Sequence, residues 1–212
     1  MRRGLFVTFE GIDGCGKTTQ LAHLARRLRN EGQAVVETVE PGGTDAGRAI
    51  RAILLDPAHH ALDARAELLL YFASRAQNVA EVIRPAIMRS ELVLCDRFTD
   101  STVVYQGAGR GIERAEILEL DRIACGGLRP DLTFLLDIDL ETSLARARGR
   151  NRETASEETR MDDQSRDFFE RVRDGYRELA RSEPNRIRVI DARDSVAHVA
   201  DRIWDALQTY VR

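Results

Sequence analysis

Apolar residues gather in five short runs, and each run is followed by a stretch with helical spacing. The runs cover residues 5–9, 34–39, 92–97, 132–138 and 186–191. They are too short for typical helices and rich in valine, isoleucine, leucine and phenylalanine, as strands are. Because a parallel sheet that is covered on both faces needs continuously apolar strands, these runs predict a five-stranded parallel sheet.

Between the runs, apolar residues recur every three or four positions, which predicts amphipathic helices. One helix begins at Lys17, and others are expected over 47–55, 62–89, 113–125, from 140 to at least 148, 163–181 and 196–211. Pro85 is expected to kink or interrupt the long helix, because proline has no N–H to donate. Residues 98–111 carry polar groups and end in a glycine-rich part that is expected to be flexible. Alternating strands and helices predict a doubly wound α/β fold with helices on both faces.

The turn between the first strand and the first helix is rich in glycine. Gly11, Gly16, Lys17 and Thr18 fit G-x-x-x-x-G-K-[ST], the pattern of a phosphate-binding loop (P-loop). Glycines let successive backbone N–H groups converge on an anion, and the helix N-terminus adds partial positive charge. Lys17 would reach the β- and γ-phosphates, and the Thr18 hydroxyl would ligate Mg²⁺. The pattern predicts that ATP is bound by Gly11, Ile12, Asp13, Gly14, Cys15, Gly16, Lys17, Thr18 and Thr19. With the alternating elements, it predicts a P-loop NTPase-type three-layer sandwich.

An acid and a base, Asp96 and Arg97, end the third apolar run. Ligands of open α/β sheets bind at the carboxyl ends of the strands, so Asp96 is expected near the P-loop. There it would hold the Mg²⁺ shell directly or through water. The structural alternative is that the two residues form only an internal ion pair.

Composition narrows the class of protein. The 212 residues are 43% hydrophobic and 32% charged, which suits one ordinary globular domain over 1–212. A net charge of −3 gives no reason to expect nucleic-acid binding. Cys15, Cys95 and Cys125 are odd in number and irregularly spaced, so neither a disulfide framework nor a zinc site is indicated. With no signal peptide and no apolar run of about 18 residues, the expected location is a reducing cytoplasm, without membrane contact.

Residues 146–163 differ from the rest of the chain, because arginines alternate there with acids and large apolar side chains are almost absent. A solvated loop is one interpretation. A mobile lid that closes over a polyphosphate is the other, and the segment by itself does not decide between them.

A P-loop indicates a nucleotide but not a function. The chain lacks the N-K-x-D motif of regulatory GTPases, whereas an ATPase switch that acts on a partner is not excluded. Lys17 is the only lysine among 32 basic residues, so arginine supplies all the other positive charge. Joining two anionic nucleotides needs such neutralising groups, because like charges about 4 Å apart repel by several kcal/mol at low dielectric. This balance favours a nucleotide kinase.

Taken together, these segments resemble the bacterial type of thymidylate kinase along nearly the whole chain. The matching segments are Phe9 through Thr19, Glu40-Pro41-Gly42-Gly43-Thr44, Tyr71-Phe72-Ala73-Ser74-Arg75, Asp96-Arg97-Phe98 with Ser101-Thr102 and Tyr105-Gln106-Gly107, and the arginine-rich segment. The resemblance implies Mg²⁺-dependent transfer of the ATP γ-phosphoryl group to dTMP, and it implies a homodimer. The helix bearing Leu69 and Phe72 is a candidate interface.

The resemblance also implies roles for individual residues. Arg97 would lie between the donor and acceptor phosphates, and Tyr71 would stack on thymine. The dTMP contacts would come from Asp13, Arg51, Tyr71, Arg75, Arg97, Ser101, Thr102, Tyr105 and Gln106. Since the P-loop contains no arginine, the catalytic charge beside Lys17 and Arg97 would come from Arg148, Arg150 and Arg152 of the lid. Another kinase of the same fold remains the nearest alternative.

Two positions depart from the family pattern. Val39 stands where relatives often carry a basic or aromatic residue, which leaves one acceptor-side contact open. Cys15 stands where relatives often have alanine. It is either a small apolar filler or, if the helix N-terminus lowers its pKa, a reactive thiol.

Overall fold

The computed structural model describes residues 4–154, 160–161 and 164–211, with side chains except at 148, 150–154 and 210–211. Within these residues one parallel sheet of five strands has the order β2-β3-β1-β4-β5. The strands are β1 (Phe6–Glu10), β2 (Val35–Val39), β3 (Leu92–Asp96), β4 (Leu132–Asp137) and β5 (Ile187–Asp191). The predicted α/β fold and its parallel sheet are therefore confirmed.

Helices connect the strands as the apolar spacing predicts. They are α1 (Lys17–Asn30), α2 (Asp45–Leu55), α3 (Ala64–Asn78), α4 (Arg84–Met88), α5 (Thr99–Thr102), α6 (Arg114–Cys125), α7 (Leu140–Thr154), α8 (Arg166–Ser182) and α9 (Val196–Val211). Short 3₁₀ and π segments lie at Pro57–His59, Val79–Ile83 and Val103–Gly109. Several ends have side-chain caps: the Thr44 hydroxyl accepts from Gly47 N, and the Ser165 hydroxyl accepts from Phe168 N. No helix among the described residues is long and apolar enough to cross a membrane.

The long helix predicted over 62–89 is divided by a π-helical turn. Pro85 has no N–H for the carbonyl of Glu81, and its ring would clash with that carbonyl in a regular α-helix. The widened turn Val79–Ile83 lies just before the proline, where it relieves this conflict. Pro85 therefore interrupts the α-helical geometry, as expected, without ending the helical run.

Gly107 and Gly109 serve close packing, so the prediction of a flexible segment is wrong for residues 103–109. Residues 103–109 form a π-helix that packs on α8. A Cβ atom at Gly109 would lie 2.5 Å from the ring of Phe168. A Cβ atom at Gly175 on α8 would in turn meet Val104 at 3.2 Å. Small residues on both sides allow the two backbones to approach, which holds residues 98–109 rigidly beside the sheet.

The core lies between the sheet and the helices on its two faces. Strands β1, β3 and β4 are buried along nearly their whole length. The apolar face of α8 closes one side with Phe168, Phe169, Val172, Tyr176 and Leu179. Since the central strands have no room to shift, the turns at their carboxyl ends are held in fixed relative positions.

Candidate active site

The P-loop joins the end of β1 to the start of α1. Gly11, Gly14 and Gly16 have φ angles of 135°, 79° and 97°, which residues with a side chain rarely adopt. Lys17 is only 6% exposed, and its Nζ donates to the carbonyl oxygens of Gly11 and Ile12 at 3.1 Å each. These bonds hold the ammonium group over the loop, at the place where the sequence pattern puts the phosphates.

The P-loop also touches the first turn of α7. A Cβ atom at Gly14 would clash with the carbonyl oxygen of Ser143, so only glycine fits there. The Ser143 hydroxyl donates to the carbonyl oxygen of Asp13. The helix that continues into the arginine-rich segment therefore starts in direct contact with the phosphate loop.

A pair of oxygen ligands lies beside this loop. Asp96 ends β3, and β3 lies next to β1 with Phe9 opposite Asp96 in the register. The Thr18 hydroxyl donates to Asp96 Oδ2 at 2.5 Å. Hydroxyl and carboxylate oxygens are hard ligands of the kind that Mg²⁺ prefers. The described residues contain no cluster of three or more His, Cys, Asp or Glu side chains suited to a metal. The pair therefore fits a Mg²⁺ ion that takes its other ligands from water and phosphate.

Arg97 is held in an uncommon backbone conformation, with a φ of 70°. Its Nη2 donates to Asp13 Oδ1 at 2.8 Å and to the Tyr105 hydroxyl at 3.2 Å. Its Nη1 donates to the Ser101 hydroxyl at 3.0 Å and to the Tyr176 hydroxyl at 3.3 Å. The guanidinium group thus has four oxygen partners from four segments, which fixes its plane between the P-loop and α5.

Asp13 is ionised in this environment. Burial opposes its ionisation, but the charges of Arg97 and Lys17 outweigh burial and lower the pKa of Asp13 below its ordinary value. The Tyr105 hydroxyl adds a hydrogen bond to Asp13 Oδ2 at 3.0 Å. Asp13 therefore links the phosphate loop to Arg97 as a carboxylate.

Arg75 is an arginine with one unused donor. It is 1% exposed, and its Nε donates to the buried carboxylate of Glu40. Its Nη2 donates to the carbonyl oxygen of Phe98 at 3.2 Å and to the Thr102 hydroxyl at 2.9 Å. Its Nη1 has no hydrogen-bond partner among the described residues. A buried N–H without a partner is costly, so this atom is suited to donate to a ligand.

One cavity of about 610 Å³ joins these groups. All the predicted acceptor-site side chains and some side chains of the donor site line it. They are Asp13, Lys17, Thr18, Arg51, Tyr71, Arg75, Asp96, Arg97, Ser101, Thr102, Tyr105 and Gln106. Tyr71 is half-buried on its wall, and burial raises the pKa of Tyr71 to about 12. Its ring is therefore uncharged at neutral pH.

The other predicted site residues are not among the described side chains that line this cavity. The side chains of Arg148, Arg150 and Arg152 lie outside the described residues, although the backbone of α7 runs through these positions. Gly11, Ile12, Gly14, Cys15, Gly16 and Thr19 are not among the residues that line the cavity, and ATP would meet the loop through its backbone N–H groups. Burial raises the pKa of the Cys15 thiol, opposite to what a reactive thiol requires. Cys15 is also only 2% exposed, which favours the small apolar filler over the reactive thiol.

Sequence reasoning missed a set of buried acids that hold the arginines. Glu10 and Glu40 are 0% and 2% exposed, and Glu67 is 1% exposed. Glu67 accepts hydrogen bonds from Gln106 at 2.9 Å and from Arg110 at 3.2 and 3.3 Å, and it pairs with Arg160. The only available signal was a glutamate at the end of an apolar run, at positions 10 and 40. Glu67, within a helix, had no signal of this kind.

Arg160 fixes the far end of the arginine-rich segment. It is 5% exposed, and its Nε donates to the carbonyl oxygen of Leu54 at 2.5 Å. Its backbone N donates to the carbonyl oxygen of Leu55 at 3.2 Å. The segment is thus attached to the P-loop through α7 at one end and to α2 and α3 at the other.

Comparisons with known proteins agree with this site. A family model described as Thymidylate kinase matches residues 9–203. The thymidylate kinase of Geobacter sulfurreducens is 52% identical over 205 residues, covering 96% of this chain and 96% of that protein. That of Desulfovibrio desulfuricans is 49% identical over 210 residues, covering 98% and 97%. The crystal structure of thymidylate kinase from Ehrlichia chaffeensis superposes with a TM-score of 0.77 at 34% identity, covering 97% and 99%.

Proposed function

This chain belongs to the thymidylate kinase family, and from that premise we propose how its residues transfer the ATP γ-phosphoryl group to dTMP. The products are dTDP and ADP. The observation that carries the proposal is the single cavity in which a P-loop ammonium group and a buried arginine with an unpartnered N–H occur together. The whole chain would act as one nucleoside monophosphate kinase-like domain, with 146–163 as its lid.

On the donor side, the backbone N–H groups of the P-loop and the Lys17 ammonium group hold the ATP phosphates. The Thr18 hydroxyl and the Asp96 carboxylate would hold Mg²⁺, which when bound neutralises phosphate charge. In this structure Lys17 Nζ donates to two loop carbonyl oxygens at 3.1 Å. When ATP binds, phosphate oxygens would take the place of these carbonyls as acceptors of the Lys17 hydrogen bonds.

On the acceptor side, the ring of Tyr71 stacks on thymine, and Arg75 Nη1 donates to a thymine carbonyl. Support for this comes from the other Arg75 donors, which are already used by Glu40, Phe98 and Thr102. Only Nη1 is left to recognise a base. Tyr105, packed between Arg97 and Phe168, crowds the 2′ position and favours the deoxy sugar. Arg51 lines the cavity beside Pro41 and grips the dTMP phosphate.

Three more side chains complete the acceptor site. Ser101, Thr102 and Gln106 line the cavity, where their hydrogen bonds go to Arg97, Arg75 and Glu67. They would therefore contact dTMP largely by shaping the cavity.

Arg97 lies between the two substrates and cancels charge as the phosphoryl group moves. Four oxygens already orient its guanidinium group, so little reorganisation is needed when the substrates bind. The acceptor is already a phosphate anion, so no general base is needed. Positioning and electrostatic stabilisation carry the rate.

A comparison of acceptors tests the substrate assignment. ADP release is measured with dTMP, dCMP, AMP, GMP and unphosphorylated thymidine under the same conditions. We expect dTMP to have the highest kcat/KM, because Arg75 and Tyr71 recognise the base. If dTMP is no better than the other monophosphates, the assignment of this cavity to thymine fails. Turnover of ATP without any acceptor would instead indicate an ATPase switch.

Replacing Tyr71 with alanine should raise the KM for dTMP by about 10-fold or more, because stacking on a base contributes about 1–3 kcal/mol. The KM for ATP should not change. Tyr71→Phe is the matched control, since it keeps the ring and removes only the hydroxyl. Equal KM values for dTMP in the alanine variant and the wild type would remove Tyr71 from the base site.

The lid prediction concerns Arg148, Arg150 and Arg152. Because α7 starts on the P-loop, these positions extend from the phosphate site. Changing Arg150 or Arg152 to alanine should lower kcat by about 10²-fold, the effect of losing one transition-state donor. Arg166→Ala is the control, because Arg166 is exposed and pairs with Glu141 and Glu170. Wild-type kcat in all three single lid variants, at Arg148, Arg150 and Arg152, would exclude the lid from the mechanism.

We further propose a homodimer in the cytoplasm. Leu69 on α3 and Ile123 on α6 are 55% and 64% exposed, and α3 packs against α6, so these two neighbouring helices are the candidate interface. Phe72 is 4% exposed and belongs to the core of its own chain, so it does not contribute to that surface. Sedimentation equilibrium should give twice the mass of one chain, and a monomer mass would reject the dimer.

The three cysteines are free, which is compatible with the reducing cytoplasm that we propose as the location.

A further inference from the structure

Glu10 is a fully buried acid at the carboxyl end of β1, directly before the P-loop. One carboxylate oxygen accepts from the backbone N–H of Phe98 at 2.7 Å and from that of Ser101 at 3.4 Å. The other accepts from the Ser101 hydroxyl at 2.6 Å and from the Tyr176 hydroxyl at 2.8 Å. Nothing in the reaction described above uses this carboxylate.

The two hydroxyls on Glu10 are the ones that receive Arg97 Nη1. They lie 2.8 Å from each other, so Glu10, Ser101, Tyr176 and Arg97 form one closed hydrogen-bonded cluster. A hydroxyl that donates its proton to a carboxylate presents its lone pairs to other partners. Arginine has only donors, so this arrangement of protons suits it.

We propose that Glu10 is a positioning residue for phosphoryl transfer: its carboxylate takes the hydroxyl protons of Ser101 and Tyr176 and thereby turns their lone pairs toward Arg97. This inference rests on the role proposed for Arg97 and adds what holds that arginine in place. Glu10 itself does not touch the substrates. A neutral Glu10 has one acid O–H, which donates to one of the hydroxyls and redirects that hydroxyl's own proton. Arg97 then loses an acceptor.

The surroundings of Glu10 place its ionisation in the physiological range. Burial, followed by the charge of Asp100, raises the pKa of Glu10 to about 7, against the opposing charge of Arg97. The titratable and charged groups that face it are Cys95 and Arg97 at the end of β3, Asp100 on α5 with its partner Arg186, and Tyr176 on α8. The carboxylate form, which the proposed arrangement requires, therefore prevails above about pH 7 and is lost below it.

The test is Glu10→Gln, which keeps the shape of the side chain and removes its charge. At pH 8 we expect kcat about 10-fold lower than in the wild type, with the KM values of ATP and dTMP nearly unchanged, because a displaced catalytic group affects the transition state. At pH 6 the wild-type Glu10 is neutral too, so the ratio of the two kcat values should approach 1. Ionisation of the dTMP phosphate near pH 6 affects both proteins equally and cancels in this ratio.

Two further variants separate positioning from stability. Tyr176→Phe removes the hydroxyl that α8 contributes to the cluster and leaves the Ser101 hydroxyl in place. It should lower kcat less than Glu10→Gln does. Asp131→Asn is the structural control, because Asp131 accepts from Phe6 N at the other end of β1, at 2.9 Å. It should lower Tm without changing the pH dependence of kcat. Glu10→Gln should not lower Tm at pH 8 through charge, because the raised pKa of Glu10 means that stability is lost between about pH 4.5 and pH 7, and this loss is complete at pH 8.

The proposal would be overturned if the ratio of the wild-type kcat to the Glu10→Gln kcat were the same at pH 6 and pH 8. It would also be overturned if the lower kcat of Glu10→Gln were fully explained by a lower Tm. Failure of the underlying role is distinguishable. If Arg97→Ala has wild-type kcat, the role of Arg97 is wrong whatever Glu10 does. If Arg97→Ala is impaired and Glu10→Gln has wild-type kcat at pH 8, only the inference on Glu10 fails. In the Arg97→Ala background, Glu10→Gln should cause no further loss.

Discussion

Replacing Lys17 with alanine should lower kcat by about 10³-fold or more, because the ammonium group is the one positive side chain held within the P-loop. The fold should remain intact. Among the residues that the structure describes, the Lys17 amine bonds only to the Gly11 and Ile12 carbonyls and to the Cys15 sulfur, all within the same loop. The measurements are single-turnover kinetics for the chemical step and thermal unfolding for stability.

Two controls sharpen this experiment. Lys17→Arg keeps the charge and widens the group, and the loop carbonyls at 3.1 Å leave no space for a guanidinium fork. We expect kcat to fall by about 10²-fold in this variant as well. Arg122→Ala removes an exposed positive charge that pairs with its helix neighbour Glu119, and it should leave kcat unchanged. If Lys17→Ala retained more than a tenth of the wild-type kcat, the P-loop would not hold the transferred phosphate.

Replacing Arg97 with alanine should lower kcat by about 10²- to 10³-fold, the effect of losing one charged donor at the transition state. Removing its guanidinium group also removes the partner that Asp13, Ser101, Tyr105 and Tyr176 share. The loss should appear mainly in kcat rather than in the KM for ATP, because the P-loop holds the ATP phosphates independently. Steady-state kinetics with both substrates varied separates these effects.

The backbone at Arg97 provides a matched second variant. With a φ of 70°, an alanine there retains the unfavourable Cβ contact, which costs about 1 kcal/mol, whereas glycine relieves it. Arg97→Gly should therefore be more stable than Arg97→Ala while losing as much activity. Equal losses of kcat in the two variants assign the effect to the guanidinium group. Recovery of activity in the glycine variant would instead attribute the loss to backbone strain and contradict the catalytic role.

Local sequence signals predicted most of the fold. The five apolar runs became the five strands within one or two residues at each end, because strands buried on both faces need continuous apolar character. The closing helix was predicted with the observed bounds, Val196–Val211. The prediction failed for the glycine-rich part of 98–111, since Gly109 and Gly175 are small in order to pack against other elements. Close packing between distant segments leaves no local pattern that differs from that of a flexible loop.

Part of the candidate site could likewise be predicted from the sequence, and part could not. The P-loop and the pair of Thr18 and Asp96 follow from spacing and from the rule that ligands bind at the carboxyl ends of strands. The family resemblance implied that Tyr71 and Arg75 bind the acceptor nucleotide. The structure adds that Arg75 Nη1 has no hydrogen-bond partner among the described residues and so can donate to a ligand. Its Nε and Nη2 are held by Glu40, Phe98 and Thr102, which lie 23 or more residues from Arg75 in the sequence.

The sequence by itself determined the class of ligand, a nucleotide, because a P-loop is a continuous segment whose residue types and spacing indicate phosphate binding. Only the tertiary structure decided which arginines are held in a fixed orientation and which side chains hold them. Glu10 reaches Ser101 and Tyr176 across 91 and 166 residues, and no spacing rule connects positions so far apart. A buried charge must find its partners wherever the fold brings them, so the hydrogen-bonded cluster around Arg97 exists only in three dimensions.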